Sequence, residues 1–342
     1  MRIITFGEIM LRLKPPGQER FFQSPLFEAS FGGSEANVAV ALARFGLNAA
    51  FATILPDNQI GKECARVLRY HGVDTSFLTY KKGRLGIYFF ENGAAQRPSN
   101  VIYDREGAVI AAIDEKDLNW KNIFSDASWF HVSGITPALS KQAADATLLA
   151  VQEAHNAGLT VSFDLNFRAK LWNYGEPAQK RMRQIAEYAD ILIGNEEDYQ
   201  KSLGIAGPAS AESGTIDSDA YLRMCRHSLE EFPNSRYAAV TLRESFSADH
   251  NAWSAILVSR EGFWKSRRYD IADIIDRVGA GDSFAAGLIY GLLAYSNDPG
   301  RALEFATAAS CLKHSIPGDF AILEKAEVEK LMSGNVSGRV QR

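Results

Sequence analysis

The feature that most constrains this chain is a recurring unit: an apolar strand, a glycine-rich turn or break, a helix, and then another strand. Ile3 to Leu13 reads as a strand interrupted at Gly7-Glu8. The turn Gly32-Gly33-Ser34-Glu35-Ala36-Asn37 opens a helix through Phe45, with Val38, Ala41, Leu42 and Phe45 on one face. Gly46 stops that helix. Ala49 to Leu55 is the next strand, and Gln59 to His71 the next helix, ended by Gly72. The rhythm resumes with a strand at Ser128 to Gly134, a helix at Lys141 to Ala157, and strands at Thr160 to Leu165, Asp190 to Gly194 and Tyr237 to Leu242. Such succession implies an α/β fold with a mainly parallel sheet. Residues 76 to 114 break it. Phe77 to Tyr80, Gly86 to Phe90 and Asn100 to Asp104 are strand-like with no helix between them, which predicts a small antiparallel sheet outside the main layer. Gly204 to Asp219 reads as a loop, and Ala255 to Arg260 with Gly262 to Asp270 as a hairpin.

A chain of 342 residues suits one large domain with an appendage, or two ordinary ones. A net charge of -4 gives no support for nucleic-acid binding. Cys64, Cys225 and Cys311 are far apart, without metal spacing, and each falls in a helical stretch, so we expect buried reduced thiols. The first residues lack a signal peptide's apolar run and cleavage site, and no stretch is long enough to span a bilayer. The expected location is the cytoplasm, with no membrane partner.

The chemistry concentrates late in the chain, at Asp276-Arg277-Val278-Gly279-Ala280-Gly281-Asp282-Ser283-Phe284, which runs into a helix ending near Tyr295. Two glycines let the backbone turn and approach a ligand. The helix start that follows carries unpaired N–H groups suited to an anion. A lone Asp before a helix is most often a cap. A cap needs no glycines, whereas a loop wrapping a phosphate does, and a carboxylate beside it can take a proton from an attacking hydroxyl. In Gly32 to Asn37, a loop with a Ser34 cap competes evenly with a ligand contact through Asn37, which offers a donor and an acceptor. Asn195 with Glu196, Glu197 and Asp198 reads as a helix cap with first-turn acids.

The late motif resembles the second signature of the ribokinase-like (PfkB) carbohydrate kinases, and the Gly-Gly plus Asn motif resembles their sugar-binding turn. The resemblance spans roughly Met1 to Leu331. It implies a three-layer α/β/α kinase domain over 1–331, a β-sheet lid formed mainly by about 12–31 and 76–114, and a tail at 332–342. It further implies that Asp282 is the catalytic base and that the amides of Gly279, Ala280 and Gly281 form the anion hole. ATP with Mg²⁺ would be the donor, and a monovalent-cation requirement stays open. The resemblance puts Asn166, Arg168, Asn195, Thr241, Arg243, Ser245 and Thr307 on the nucleotide side and Asp198 near the metal. Arg243 stands where the family often has glycine, and Asp198 where it has glutamate. The phrases His131 to Leu139 and Ser162 to Trp172, with Tyr103-Asp104-Arg105, resemble those of family members that phosphorylate 2-keto-3-deoxygluconate. That implies a sugar-acid pocket of Gly33, Asn37, Tyr88, Tyr103, Ile135 and Asp319. Arg105 and Arg168 would hold the carboxylate, since arginine's planar fork suits it. The product would be 2-keto-3-deoxy-6-phosphogluconate, for the modified Entner–Doudoroff or uronate pathway. A homodimer pairing through the lid is also implied. The rivals are a fructokinase- or ribokinase-type enzyme and a non-catalytic sugar-binding protein. A dehydrogenase is weaker, because the first strand-turn lacks G-x-G-x-x-G.

Overall fold

The computed structural model describes residues 2–208 and 217–334. Half of the Gly204 to Asp219 stretch and most of the tail from Ser333 lie outside them. The strands are β1 (Arg2–Phe6), β2 (Met10–Lys14), β3 (Glu28–Gly32), β4 (Asn48–Pro56), β5 (Leu78–Lys81), β6 (Gly86–Glu91), β7 (Asn100–Asp104), β8 (Ala127–Ser133), β9 (Thr160–Asp164), β10 (Ile191–Gly194), β11 (Tyr237–Ser245), β12 (Asn251–Val258), β13 (Phe263–Lys265) and β14 (Tyr269–Ile271). The helices are α1 (Ser34–Arg44), α2 (Gln59–Tyr70), α3 (Trp120–Ile123), α4 (Lys141–Asn156), α5 (Ala178–Ala186), α6 (Glu196–Asp198), α7 (Ser218–Glu231), α8 (Ala280–Ala294), α9 (Pro299–Lys313) and α10 (Lys325–Met332).

The large sheet runs β13-β12-β11-β10-β9-β8-β1-β4-β5, with β14 also on β12. From β5 to β11 every pair is parallel, and β12 turns the edge antiparallel. Its central strands are buried on both faces, as cover by helices on each side requires. One core joins the sheet to α4, α5 and α7, and another to α1, α8 and α9. This is the mainly parallel α/β sheet expected of the alternating pattern, in the three-layer α/β/α arrangement that the resemblance implies.

The second sheet has the order β3-β2-β6-β7. Three expectations shift here. The interruption at Gly7-Glu8 is a change of sheet: β1 sits in the large sheet and β2 in the small one. The Phe77 to Tyr80 stretch does not join the small sheet, because β5 pairs in parallel with β4 at the large sheet's edge. The small sheet is also mixed, since β2 and β6 are parallel. Local composition marks these stretches as strands, but pairing depends on where α2 returns the chain.

Among the described residues no helix is long and apolar enough to cross a membrane. The three cysteines are free, and burial pushes each thiol up to about 12.

Candidate active site

In an open parallel sheet, ligands bind beyond the carboxyl ends of the strands. A cavity of about 330 Å³ lies there, covered by the small sheet. Strands β9, β10 and β11 deliver Asp164, Asn166, Asn195 and Thr241 to it; β6 and β7 deliver Tyr88 and Tyr103; and the loop before α8 supplies Arg277 to Gly279.

Helix α8 begins at Ala280, earlier than the sequence suggests, with Gly279 as its N-cap at φ 82°. A side chain at Gly279 would be strained in that left-handed conformation, and its Cβ would sit 2.1 Å from the Asp319 carbonyl oxygen. Asp282 is therefore the third helical residue and not a cap. The N–H groups of Gly281 and Asp282 fall in the first turn, where a helix offers no internal acceptor. The Ala280 N–H is turned onto the Arg277 carbonyl at 3.3 Å.

Asp282 is buried, and burial raises its pKa above the usual aspartate value. Two neutral donors counter that effect by stabilising the ionised form: Asn37 Nδ2 donates to Oδ2 at 2.6 Å, and Ser34 Oγ donates to Oδ1 at 2.7 Å. The Asn37 Oδ1 accepts from the Gly33 N–H at 3.2 Å. Asn37 thus fixes the carboxylate, and the donor and acceptor read from sequence as ligand contacts both have partners inside the protein. Ser34 is not the cap either; Gly33 is, and its Cβ would lie 2.1 Å from the Glu8 carbonyl oxygen.

Further carboxylates gather nearby. Asp164 is pushed well above its usual range, first by burial and then by Asp198 and Asp282, while Arg168 opposes. Asp198 Oδ1 accepts from the Phe167 N–H at 2.8 Å and Oδ2 from the Asn195 N–H at 2.9 Å, while Asn195 caps Asp198 in return. The capping reading of Asn195 to Asp198 therefore holds. Arg168 is exposed at the cavity's rim, donating to the Phe167 carbonyl at 2.8 Å.

On the lid side, Arg105 is not a solvated charge. Its Nη1 lies 3.1 Å from Glu8 Oε2, and its guanidinium sits 4.3 Å from the Tyr103 ring centre. The Tyr88 hydroxyl donates to Asp319 Oδ1 at 2.5 Å, and Arg12 Nη1 donates to the same oxygen at 2.7 Å. Arg12 also reaches Asp276 Oδ2 at 2.5 Å.

The cavity brings together Gly33, Asn37, Tyr88, Tyr103, Arg105 and Ile135 with Asn166, Arg168, Asn195 and Asp198. Thr241, Arg243, Gly279, Ala280, Gly281, Asp282 and Asp319 line it too. Two expected residues do not. Thr307 is buried in α9, where its hydroxyl donates to the Leu303 carbonyl at 2.8 Å. Ser245 lines a separate depression with Phe246, Ser247 and Ala248. Ser34, Asp164 and Arg277 line the cavity as well, although nothing in the sequence beyond their position singles them out as site residues. Ser34 and Arg277 stand inside quoted motifs, and Asp164 ends a strand, so position alone marked them. Arg12 gave no signal.

Among the described residues no cluster of three or more His, Cys, Asp or Glu is arranged to hold a metal by itself. Magnesium in phosphoryl-transfer sites needs only one or two carboxylates plus phosphate oxygens and water. Asp164 and the unpartnered, buried Asn166 Oδ1 fit that smaller demand.

A family model described as pfkB family carbohydrate kinase matches residues 2–224 and 250–325. A 2-dehydro-3-deoxygalactonokinase of Haloferax volcanii is 32% identical to this chain, with 98% of each covered. A 2-dehydro-3-deoxygluconokinase of Thermoproteus tenax is 28% identical, covering 96% of this chain and 94% of its own. The crystal structure of a 2-dehydro-3-deoxygluconokinase from Thermotoga maritima is similar with a TM-score of 0.91 at 48% identity, covering 98% of each chain.

Proposed function

Because this chain belongs to the pfkB family of carbohydrate kinases, we propose that it transfers the γ-phosphoryl group of ATP to the terminal (C6) hydroxyl of 2-keto-3-deoxygluconate. The observation that carries this reading is the setting of Asp282, a buried carboxylate in the first turn of α8, held by Ser34 and Asn37. Asp282 takes the hydroxyl proton as the oxygen attacks the phosphorus in line. The bond from phosphorus to the bridging oxygen breaks, and ADP leaves. The free N–H groups of the turn face the charge on the transferred group, with Gly281 best placed, since the Ala280 N–H already donates to the Arg277 carbonyl. No phosphoenzyme forms. Mg²⁺, which neutralises phosphate charge when bound, would be held by Asp164 and Asn166, with Asp198 behind them. Arg243 and Arg277 line the cavity with Thr241, Asn166 and Asn195, as a polyphosphate requires.

The acceptor follows from charge and similarity. Arg105 and Arg168 both line the cavity, and a carboxylate needs such partners where a neutral sugar does not. Relatives named for 2-dehydro-3-deoxygluconate support the same choice. The galactonate epimer is the second reading, favoured by the Haloferax relative. Pairing of two copies through the lid is consistent with β7, which is exposed along its whole length. Free cysteines are consistent with the cytoplasm. The test is ADP release with 2-keto-3-deoxygluconate, its galactonate epimer, fructose and ribose in parallel. Turnover of a keto-deoxy acid above both neutral sugars is expected; turnover of fructose or ribose alone would overturn the reading.

A further inference from the structure

Lysine is seldom fully buried without a charged partner. Lys313, the last residue of α9, has no exposed surface. Its Nζ donates to two main-chain carbonyls, Ile316 at 3.0 Å and Asp276 at 3.4 Å. No ion pair among the described residues includes it. The ammonium therefore sits among carbonyl oxygens, the ligand type that replaces the hydration shell of a large monovalent ion.

Asp276 is the root of the anion-hole loop, and it is fastened from several sides. Its Oδ1 accepts from the Val278 N–H at 3.0 Å, and its Oδ2 from the Gly318 N–H at 3.1 Å and from Arg12. The Ile275 and Asp276 N–H groups donate to the His314 carbonyl, one residue beyond Lys313. The charges also balance. Arg12 and Lys313 face Asp276 and Asp319, all four buried. Without the ammonium, two buried carboxylates would share one guanidinium, a costly arrangement. Burial pulls the Lys313 pKa down, and Asp276 and Asp319 push it back up.

We propose that the Lys313 ammonium is a resident monovalent cation: it ties the root of the Asp276–Gly281 loop to the end of α9, so the enzyme needs no free monovalent ion for turnover. Lys313 acts through the loop and not on the substrates, so it is a positioning residue. The inference rests on the kinase reading but not on the choice of sugar acid.

The assay uses the acceptor turned over fastest in the substrate panel. Wild-type kcat is measured with tetramethylammonium as the only monovalent cation, then with lithium, sodium, potassium or ammonium chloride added at constant ionic strength. We expect no change. Lys313→Ala removes the ammonium and leaves a void; kcat should fall about 10- to 100-fold, the scale of a small misplacement of reacting groups. Potassium or ammonium, but not lithium, should restore part of it. In Lys313→Met the side chain fills the void, so the loss should resist every ion. A several-fold rise of wild-type kcat with potassium would overturn the proposal. So would wild-type kcat in Lys313→Met, or a Lys313→Ala loss that no cation repairs. If either variant fails to fold, the wild-type series still decides. No turnover on any acceptor would instead count against the kinase reading.

Discussion

Asp282 shows how little separates an inert buried acid from a base. Burial raises its pKa, while the hydrogen bonds from Asn37 and Ser34 pull it the other way. Asp282→Asn should retain ATP binding by calorimetry yet lose nearly all turnover in a coupled ADP assay; substantial residual turnover would remove it as the base. Because the folded pKa lies above the ordinary aspartate value, the acid limb of kcat/KM should also lie above it. Ser34→Ala deletes a donor to the ionised form and should move that limb further up in pH. A limb that stays put would mean that some other group titrates. Arg168 sits exposed at the rim, whereas Arg105 is already paired with Glu8. Arg168→Ala should therefore cut kcat/KM for the keto acid by about 10- to 100-fold, the usual worth of a charged hydrogen bond, and leave neutral sugars little affected. Equal losses on both would show that the arginine does not read the carboxylate.

At the scale of elements, the alternating strands and helices were legible because hydrophobic period and glycine stops are local. The start of α8 was misplaced by about one turn, since Ala280 to Asp282 look like loop until Gly279 is seen in its left-handed conformation. The assignment of Phe77 to Tyr80 to the lid failed for a related reason: a short strand carries no record of its partner, and β5 pairs with β4. The turn before α8 makes its own prediction. Gly279→Ala adds a methyl group where the Asp319 carbonyl already sits and where φ is positive. The loop must then shift, and kcat should fall by about 100-fold, as for a misplaced reacting group. Thermal melts should lose only about 1–3 kcal/mol, the worth of one strained residue. A variant with unchanged kcat would show that the turn does not shape the anion hole.

Across the whole molecule, the illegible parts of the site are those assembled by distant residues. Arg12 in the lid reaches Asp276 and Asp319 some three hundred positions later, and nothing local distinguishes it from a surface arginine. Glu35 is similar: it stands in the first turn of α1, where the fold buries it against the end of β1 and the end of β8. Its Oε1 accepts from the Ser133 N–H and Oγ and from the Thr136 Oγ1, while Oε2 is buried without a partner. Burial outweighs those donors and raises the carboxyl to about 7, against about 4.5 when unfolded. A group with a raised folded pKa binds its proton more tightly in the native state. Its stabilising contribution is complete below pH 4.5 and is lost as the pH climbs through 7. The loss reaches up to about 3 kcal/mol, from the distance between those two values. Glu35→Gln keeps an oxygen for Ser133 and Thr136 but cannot ionise. Urea unfolding at pH 5 and pH 8 should show the variant gaining on wild type at the higher pH. Parallel stability curves for the two proteins would mean that Glu35 is already ionised in the native state at pH 5.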